Sequence, residues 1–410
     1  MITRRDFLKT SSMIALGSSI PSFLSKTAAQ APLADRPGAR DTILVVVQLT
    51  GGNDGLNTVI PYADPAYARL RPTLRQSRDQ VRRINDQIGL HPSMNAMADL
   101  LQDQSLCIVQ GVGYPNPSQS HFRSMDIWQA AGTQRDLTEG WIGKALRHIP
   151  AASSFHLAGN NESAPLALTG SPVRVPSITS LADFQLRLEA SGSADRREQQ
   201  QVIEATAAPA AAQSSGGLLD FVQQTAVNTY ASSQRLRDLS STYVPRVPYP
   251  NSALANHLRL AAQLIDAGLG ARLFYVTLDG FDTHAGQAGP HANLLRDVSD
   301  AISAFYRDLS QRGHRDRLMI MTFSEFGRRA QENGSRGTDH GSGAPMFLVG
   351  GRVKPGLIGA HPSLTNLEDG NLRHHTDFRQ VYAAVLDSWL GIPSRQVLGQ
   401  EFKPVDVLRS

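Results

Sequence analysis

The segment Ile43–Asn57 reads Ile-Leu-Val-Val-Val-Gln-Leu-Thr-Gly-Gly-Asn-Asp-Gly-Leu-Asn. Its first half is an almost continuous aliphatic run, which is typical of a strand buried on both faces at the centre of a parallel sheet. The glycines that follow allow a sharp turn and place Asp54 just past the carboxyl end of that strand. Open α/β sheets bind ligands at this edge. Asp54 is therefore either a turn residue, selected for its backbone preference, or part of a site.

Strand-like apolar runs and helix-like segments alternate along the rest of the chain, which predicts an α/β fold with a mostly parallel central sheet flanked by helices. We assign residues 41–410 to a single domain. An Ala-, Gln- and Ser-rich stretch at about 190–249 predicts a helical or low-complexity insertion within it. Further strands are predicted at Leu106–Gln110, Arg272–Leu278, Leu318–Phe323 and Pro345–Val349. Helices are predicted at about Phe122–Ala131, Asn251–Ala267, Ala292–Arg312 and Thr376–Leu390.

The N-terminus has the features of a twin-arginine export signal. Thr3-Arg4-Arg5-Asp6-Phe7-Leu8-Lys9 precedes a short apolar stretch and a small-residue cleavage site, Ala29-Gln30-Ala31. Residues 1–31 are thus predicted to be a signal peptide and residues 32–40 a linker. The apolar stretch is too short to span a bilayer, so we expect a periplasmic or extracellular protein without a transmembrane span after signal removal.

Charge and cysteine content argue against a nucleic-acid-binding protein and against a fold stabilised by internal disulfides. The predicted signal carries four basic residues and one acidic residue, a net +3, so the total formal charge of +4 leaves about +1 for the mature chain. A field that weak gives no support for nucleic-acid binding. The single cysteine, Cys107, lies in an apolar strand-like run and is expected to be buried. No internal disulfide can form.

Carboxylates and histidines recur in the turns that follow the predicted strands. Because a parallel sheet delivers its strand ends to one edge, residues far apart in sequence can converge there. Carboxylates with one or two imidazoles suit Zn, Mn or Mg, and separated groups could hold one or two divalent ions. The candidate ligands are Asp54, Asp279, Asp282, His284, Glu325, Asp339 and His340.

The loop Gly111–His121 leads from the second predicted strand into a helix that starts near Ser120. Glycines and prolines before a helix start describe an anion-receptive loop, because unpaired backbone N–H groups and the helix dipole favour negative charge. Ser120 is then either a site residue or simply the cap of that helix.

The chain resembles a known family through several motifs. These are the twin-arginine start, Gly-Gly-Asn-Asp-Gly-Leu-Asn, Ser-His-Phe-Arg-Ser-Met-Asp-Ile-Trp, Gly-Phe-Asp-Thr-His, Ser-Glu-Phe-Gly-Arg-Arg and Gly-Thr-Asp-His-Gly. They resemble the exported bacterial family called domain of unknown function 1501. That family looks like a branch of the alkaline phosphatase and sulfatase superfamily, whose members use one or two metals at the carboxyl edge of such a sheet.

The resemblance implies roles for individual residues. Asp54 matches the first metal carboxylate of the superfamily, and Ser120 matches the place of its nucleophile, with Ser118 as the alternative. His284 matches a metal ligand whose partner is either Asp279 or Asp282.

Two further positions are less regular. Glu325-Phe326 stands where the superfamily has an Asp-His pair, which removes an imidazole. His340 matches the last single histidine, with Asp339 orienting its ring. In the alternative assignment, Asp339-His340 is itself the missing pair.

The implied function is an exported metal-dependent hydrolase acting on a small anionic ester, a phosphate or a sulfate. Arg123 would bind the anion's oxygens, with Arg328 or Arg329 as further candidates, although the arginines are also typical of a solvated surface. The alternative is a non-catalytic envelope protein that kept the fold with a degenerate metal site and binds a protein partner. A carbohydrate-binding module ranks last, because the three tryptophans form no cluster.

Overall fold

The computed structural model describes residues 41–149, 153–159, 164–171, 175–180, 243–268 and 270–409. The strands of this part are β1 (Ile43–Leu49), β2 (Val59–Ile60), β3 (Arg82–Arg83), β4 (Gly89–Leu90), β5 (Leu106–Gly113), β6 (Ser153–Leu157), β7 (Ser177–Ile178), β8 (Ala271–Leu278), β9 (Leu318–Phe323), β10 (Ala344–Gly350), β11 (Gly356–Ile358), β12 (Leu367–Glu368), β13 (Asn371–Leu372) and β14 (Thr376–Asp377). The helices are α1 (Gly55–Thr58), α2 (Pro65–Leu70), α3 (Asn95–Gln102), α4 (His121–Ala130), α5 (Trp141–Ala145), α6 (Ala253–Asp266), α7 (Ala288–Gln311), α8 (Phe378–Ala384) and α9 (Ser394–Leu398), with a π-helical segment at Val385–Leu390.

The central sheet has the order β11-β5-β10-β9-β1-β8-β6-β7, with β14 also paired to β5. Strand β1 lies between β8 and β9 and is parallel to both. Strand β10 is antiparallel to its neighbours β5 and β9, and the other described pairs of this sheet are parallel. The predicted fold class, a mostly parallel sheet flanked by helices, is confirmed.

Strand β1 is buried over its full length because both of its faces are covered. Ile43, Val45 and Val47 belong to one apolar cluster with α3, α6 and α7. Leu44 and Val46 face the other way, into a cluster with α4, α5, α8 and α9. This alternation follows from the period of two along a strand. Each of these side chains stabilises the fold by about 1.5–3 kcal/mol when fully buried.

The final predicted helix, Thr376–Leu390, begins later than expected, at Phe378. Asp377 forms a capping box with Gln380, which satisfies N–H groups of the first turn. The helix ends at Gly391, whose φ of 72° is the left-handed conformation that glycine adopts without strain.

The reversed direction of β10 matters for the site. Because β1, β5, β8 and β9 run the same way, their carboxyl ends meet at one edge of the sheet. The amino end of β10 meets that edge too. The loop that precedes β10 therefore lies beside the loops that follow the other four strands.

Several predictions fall wholly or largely outside the described residues and stay predictions. They are the signal at residues 1–31, the linker at 32–40 and most of the insertion at about 190–249. Cys107 is fully buried in β5, as expected. Across the described ranges, no helix is both long enough and apolar enough to cross a bilayer.

Candidate metal centre

Three imidazoles converge on one carboxylate at the sheet edge where the carboxyl ends of β1, β5, β8 and β9 meet. The Oδ1 atom of Asp282 lies 3.0 Å from Nε2 of His284, 3.3 Å from Nε2 of His340 and 3.5 Å from Nε2 of His121. The Nε2 atoms of His284 and His340 are 2.9 Å apart. We call these four residues the Asp282 centre. They come from the loops after β8 and β5 and from the loop before β10.

Each imidazole of the Asp282 centre is held at its other nitrogen. The Nδ1 contacts are His121 to Glu325 Oε1 at 2.7 Å, His340 to the Gln119 carbonyl at 2.8 Å, and His284 to Asp339 Oδ1 at 3.3 Å. A carbonyl or carboxylate oxygen can accept the Nδ1 proton, and in that tautomer each Nε2 would offer its lone pair to a metal ion. Nε2 of His121 is buried and makes no hydrogen bond among the described groups. The three Nε2 atoms therefore face a common point, and the partners at Nδ1 are of the kind that orients metal-binding histidines.

The Asp282 centre is accessible from solvent. The Asp282 side chain is 47% exposed and the His284 side chain 43% exposed. Partial burial would raise the pKa of Asp282, but hydrogen bonding and the charge of Arg328 lower it to about 2. Burial lowers the pKa of His340. Asp282 is thus ionised and His340 neutral near pH 7, which are the protonation states that bind a metal ion.

Arg328 is fully buried, so the expectation that it lies on a solvated surface is wrong. Its Nη2 donates to Asp282 Oδ1 at 2.6 Å. Its Nη1 lies 3.5 Å from Nε2 of His284, and its remaining hydrogen bonds go to backbone carbonyls of Gly51, Gly52, Phe281 and Thr338. These partners come from loops at three strand ends, so Arg328 fixes the relative positions of those loops, and its guanidinium is already shared among protein groups.

Glu325 is fully buried beneath His121. In addition to His121, its carboxylate accepts from the Gly51 N–H at 2.8 Å and from Ser324 Oγ at 3.2 Å. Gly51 has a φ of 112°, and a Cβ there would lie 2.5 Å from the Asp282 nitrogen. Glycine is therefore required at this position, because any side chain would force the β1 and β8 loops apart.

His121 is the site residue that the sequence reasoning missed. Its ring packs against Phe326, whose ring centre lies 4.8 Å from the ring centres of both His121 and His340. The signal was present, because His121 follows Ser120 in the loop after β5. Because β5 ends at the same sheet edge as the strands that precede the predicted carboxylates, the residues after β5 are expected there too, and His121 is one of them.

Ser120 stands at the N-cap position of α4, but its hydroxyl makes no cap hydrogen bond. Its two neighbours are both attached to the Asp282 centre, Gln119 through its carbonyl and His121 through its ring. Ser118 Oγ accepts from the Ser120 N–H at 3.2 Å. The Ser120 backbone is therefore fixed beside the centre, while its hydroxyl is exposed and uncommitted.

Arg123, the predicted anion-binding residue, donates to three backbone carbonyls in the loop after α4. Nη2 bonds the carbonyls of Thr133 at 2.9 Å and Gln134 at 2.6 Å, and Nη1 bonds that of Arg135 at 3.3 Å. These contacts hold α4 to its following loop. An anion would have to share the guanidinium with these carbonyls, and the predicted catalytic role stays a prediction.

The other predicted ligands divide into two groups. Glu325 lies behind His121, and Asp339 lies behind His284 rather than behind His340, the ring that it was expected to orient. Asp54 and Asp279 lie outside the Asp282 centre. Asp54 accepts hydrogen bonds from Arg71 instead. Asp279 is exposed, and no hydrogen bond or ion pair among the described residues joins it to the Asp282 centre. Their predicted roles as ligands are not tested by these contacts.

Comparison with solved structures finds similarity at low sequence identity. The C-terminal periplasmic domain of EcEptC from Escherichia coli, in complex with Zn, has 8% identity and a TM-score of 0.37, covering 78% of this chain and 74% of that chain. A protein in the alkaline phosphatase superfamily from Vibrio parahaemolyticus has 8% identity and a TM-score of 0.38, covering 93% and 77%. The PsFucS1 sulfatase from Pseudoalteromonas sp. has 10% identity and a TM-score of 0.37, covering 97% and 77%.

The search of curated proteins gives no match to this sequence. A family model does match, and it covers the whole sheet and the Asp282 centre. The match extends over residues 41–399, and the chain therefore belongs to the family described as protein of unknown function (DUF1501).

Proposed function

We propose that this protein is an exported, metal-dependent hydrolase that acts on phosphate or sulfate esters. The observation that carries the proposal is the convergence of three imidazole Nε2 atoms on Asp282 Oδ1 beside the uncommitted hydroxyl of Ser120. The twin-arginine segment supports the export part.

The chemistry of the donor set fits a divalent ion. His121, His284 and His340 offer nitrogen and Asp282 offers oxygen, a combination that suits Zn or Mn better than Mg. The ligand atoms of His121, Asp282 and His340 lie within 4.8 Å of one another, so one ion could reach all three. A divalent ion there would stabilise the charge that develops as an ester bond breaks.

Ser120 has the position of a nucleophile. Its Oγ would attack the phosphorus or sulfur atom as the alcohol leaves, and water would then release phosphate or sulfate from Ser120. Glu325 keeps the His121 ring oriented during both steps, and Arg328 keeps Asp282 ionised.

The proposal is tested by hydrolysis of aryl phosphates and aryl sulfates with protein reconstituted with Zn or Mn. We expect turnover that chelation abolishes, and a loss of about 10³-fold or more in kcat for Ser120→Ala with metal content unchanged. Ser118→Ala tests the alternative nucleophile and should retain more activity than Ser120→Ala, although it removes the acceptor of the Ser120 N–H. Absent turnover with bound metal, or equal turnover in Ser120→Ala, would contradict the proposal.

A non-catalytic envelope protein is the second candidate. The observation that favours it is that Arg123 and Arg328 donate to protein groups, which leaves an anion fewer cationic partners than the sequence indicated. On that hypothesis the reconstituted protein binds metal but hydrolyses none of the esters tested.

Glu325→Gln tests whether His121 is held for metal binding. Glutamine has nearly the same shape, so the variant removes the charge behind His121 while keeping an acceptor oxygen. We expect about 10–100-fold weaker Zn binding, the usual cost of losing a second-shell partner. Isothermal titration measures the Zn affinity. The control is Glu368→Gln, at an exposed glutamate on strand β12. Unchanged affinity would show that Glu325 has no influence on the centre.

A further inference from the structure

Asp54 is surrounded by hydrogen-bond donors. Its Oδ2 accepts from Arg71 Nη1 and from Gln287 Nε2, both at 2.5 Å. Its Oδ1 accepts from Arg71 Nη2 at 3.0 Å and from the Asn57 N–H at 3.4 Å. All four contacts point a positively polarised hydrogen at the carboxylate. A metal ion needs lone pairs instead, so these surroundings do not fit a cation.

The two side-chain donors are themselves held in place. Gln287 Oε1 accepts from Thr338 Oγ1 at 2.6 Å and from Thr283 Oγ1 at 3.1 Å, which keeps its amide nitrogen turned toward Asp54. Arg71 donates from Nε to the Ala330 carbonyl at 2.7 Å, and from Nη2 to the carbonyl of residue 329 at 2.9 Å. The side chains of Asp54 and Arg71 are both 0% exposed. The guanidinium is therefore a fixed cation against the carboxylate, in the bidentate geometry typical of Arg.

The Asp282 centre shares none of these partners. Asp282 contacts Arg328 and the three imidazoles, whereas the hydrogen bonds of Asp54 go to Arg71, Gln287 and Asn57. Two carboxylates at one sheet edge thus have different counter-charges. Both accept from a buried guanidinium, but the described contacts of Asp54 are hydrogen-bond donors only, whereas Asp282 also lies within 3.5 Å of the Nε2 atoms of three imidazoles.

We propose that Arg71 takes the place of a second metal ion, so that the protein binds a single divalent ion, at the Asp282 centre. This inference rests on the proposed function, because it concerns the metal of that same site. It assigns Arg71 as the positioning residue that neutralises Asp54 and sets the number of ions. On this proposal Asp54 is not a metal ligand, in contrast to the expectation from the sequence.

The test is the stoichiometry of Zn binding, measured by titration and by metal analysis of the full mature chain. We expect one ion per chain for the wild type. Asp54→Asn should still bind one ion with an affinity within about 3-fold of the wild type, whereas Asp282→Asn should bind at least about 100-fold more weakly, since a ligand costs no less than a second-shell partner. The number of bound ions is counted per folded chain, so a change in stability alone does not alter it.

Two ions per wild-type chain, with one lost in Asp54→Asn, would overturn the inference and leave the proposed function standing. No bound ion in the wild type would overturn both the inference and the metal-dependent function. Anomalous diffraction from wild-type crystals soaked in Zn locates the ion directly. This measurement does not depend on whether a variant folds. A peak at about 2.0–2.2 Å from Asp282 supports the inference, and a peak at that distance from Asp54 overturns it.

Discussion

Replacing Arg71 with methionine is expected to lower the free energy of unfolding by about 3–5 kcal/mol, the usual cost of removing one partner of a buried ion pair. The variant leaves Asp54 without its counter-charge in a position that is closed to water. It also removes a donor from the carbonyl of Ala330. Because domains of this kind are stable by only about 5–15 kcal/mol, the midpoint of urea unfolding should fall substantially.

The matched control is Arg69→Met, an exposed arginine in the last turn of helix α2, two residues before Arg71, which should change stability by less than about 0.5 kcal/mol. The double variant with Asp54→Asn should recover part of the loss, because it removes the unpaired charge as well. Equal losses for Arg71→Met and Arg69→Met would show that the buried pair is not a stabilising contact.

The destabilisation caused by Arg71→Met should depend on pH. In the wild type, burial opposes ionisation of Asp54, but Arg71 lowers its pKa from 3.8 to about 2. The pair therefore stabilises the fold fully above about pH 4, and this stabilisation is lost as the pH falls through about 2. Without Arg71, burial raises the pKa of Asp54, so the variant's deficit should be smaller near pH 5 than near pH 8.

Replacing His121 with alanine is expected to weaken Zn binding by at least about 100-fold, because a ligand contributes no less than the second-shell partner behind it. Ester hydrolysis should then fall in proportion to the fraction of protein that retains metal. The ring also packs against Phe326 and bonds Glu325, so thermal unfolding is measured in parallel. Isothermal titration gives the affinity.

His148→Ala is the control for this variant, because His148 is an exposed histidine at the end of a short 3-10 turn. Added imidazole should restore part of the Zn affinity of His121→Ala, since it can fill the space of the missing ring. Wild-type affinity in His121→Ala would remove this residue from the metal centre and leave Asp282 with two imidazoles.

The strands of the sheet could be predicted because each is a continuous apolar run between turn residues. Strands β1, β5, β8 and β9 were all expected near their observed positions. The direction of β10 could not be read in this way. An apolar run does not record which way a strand points, since direction follows from the neighbours with which it pairs.

The candidate site was predicted in part. Asp282, His284 and His340 were named because they lie in turns next to strands. The burial of Arg71 and Arg328 was not foreseen, because arginine is usually exposed and the local sequence around both is polar. Their partners are distant in sequence, and Arg328 bonds a carbonyl 277 residues away, at Gly51. Such contacts exist only in the assembled sheet.

The reversed strand β10 has a consequence for the order in which the centre assembles. His340 reaches the sheet edge because β10 inserts between β5 and β9, and β10 is made after both of them during synthesis. A nascent chain that ends before residue 340 carries the other three members of the centre but not the fourth. If the centre binds an ion as proposed, capture by the full set of ligands would therefore be a late step, because it requires β10 to be in place between β5 and β9.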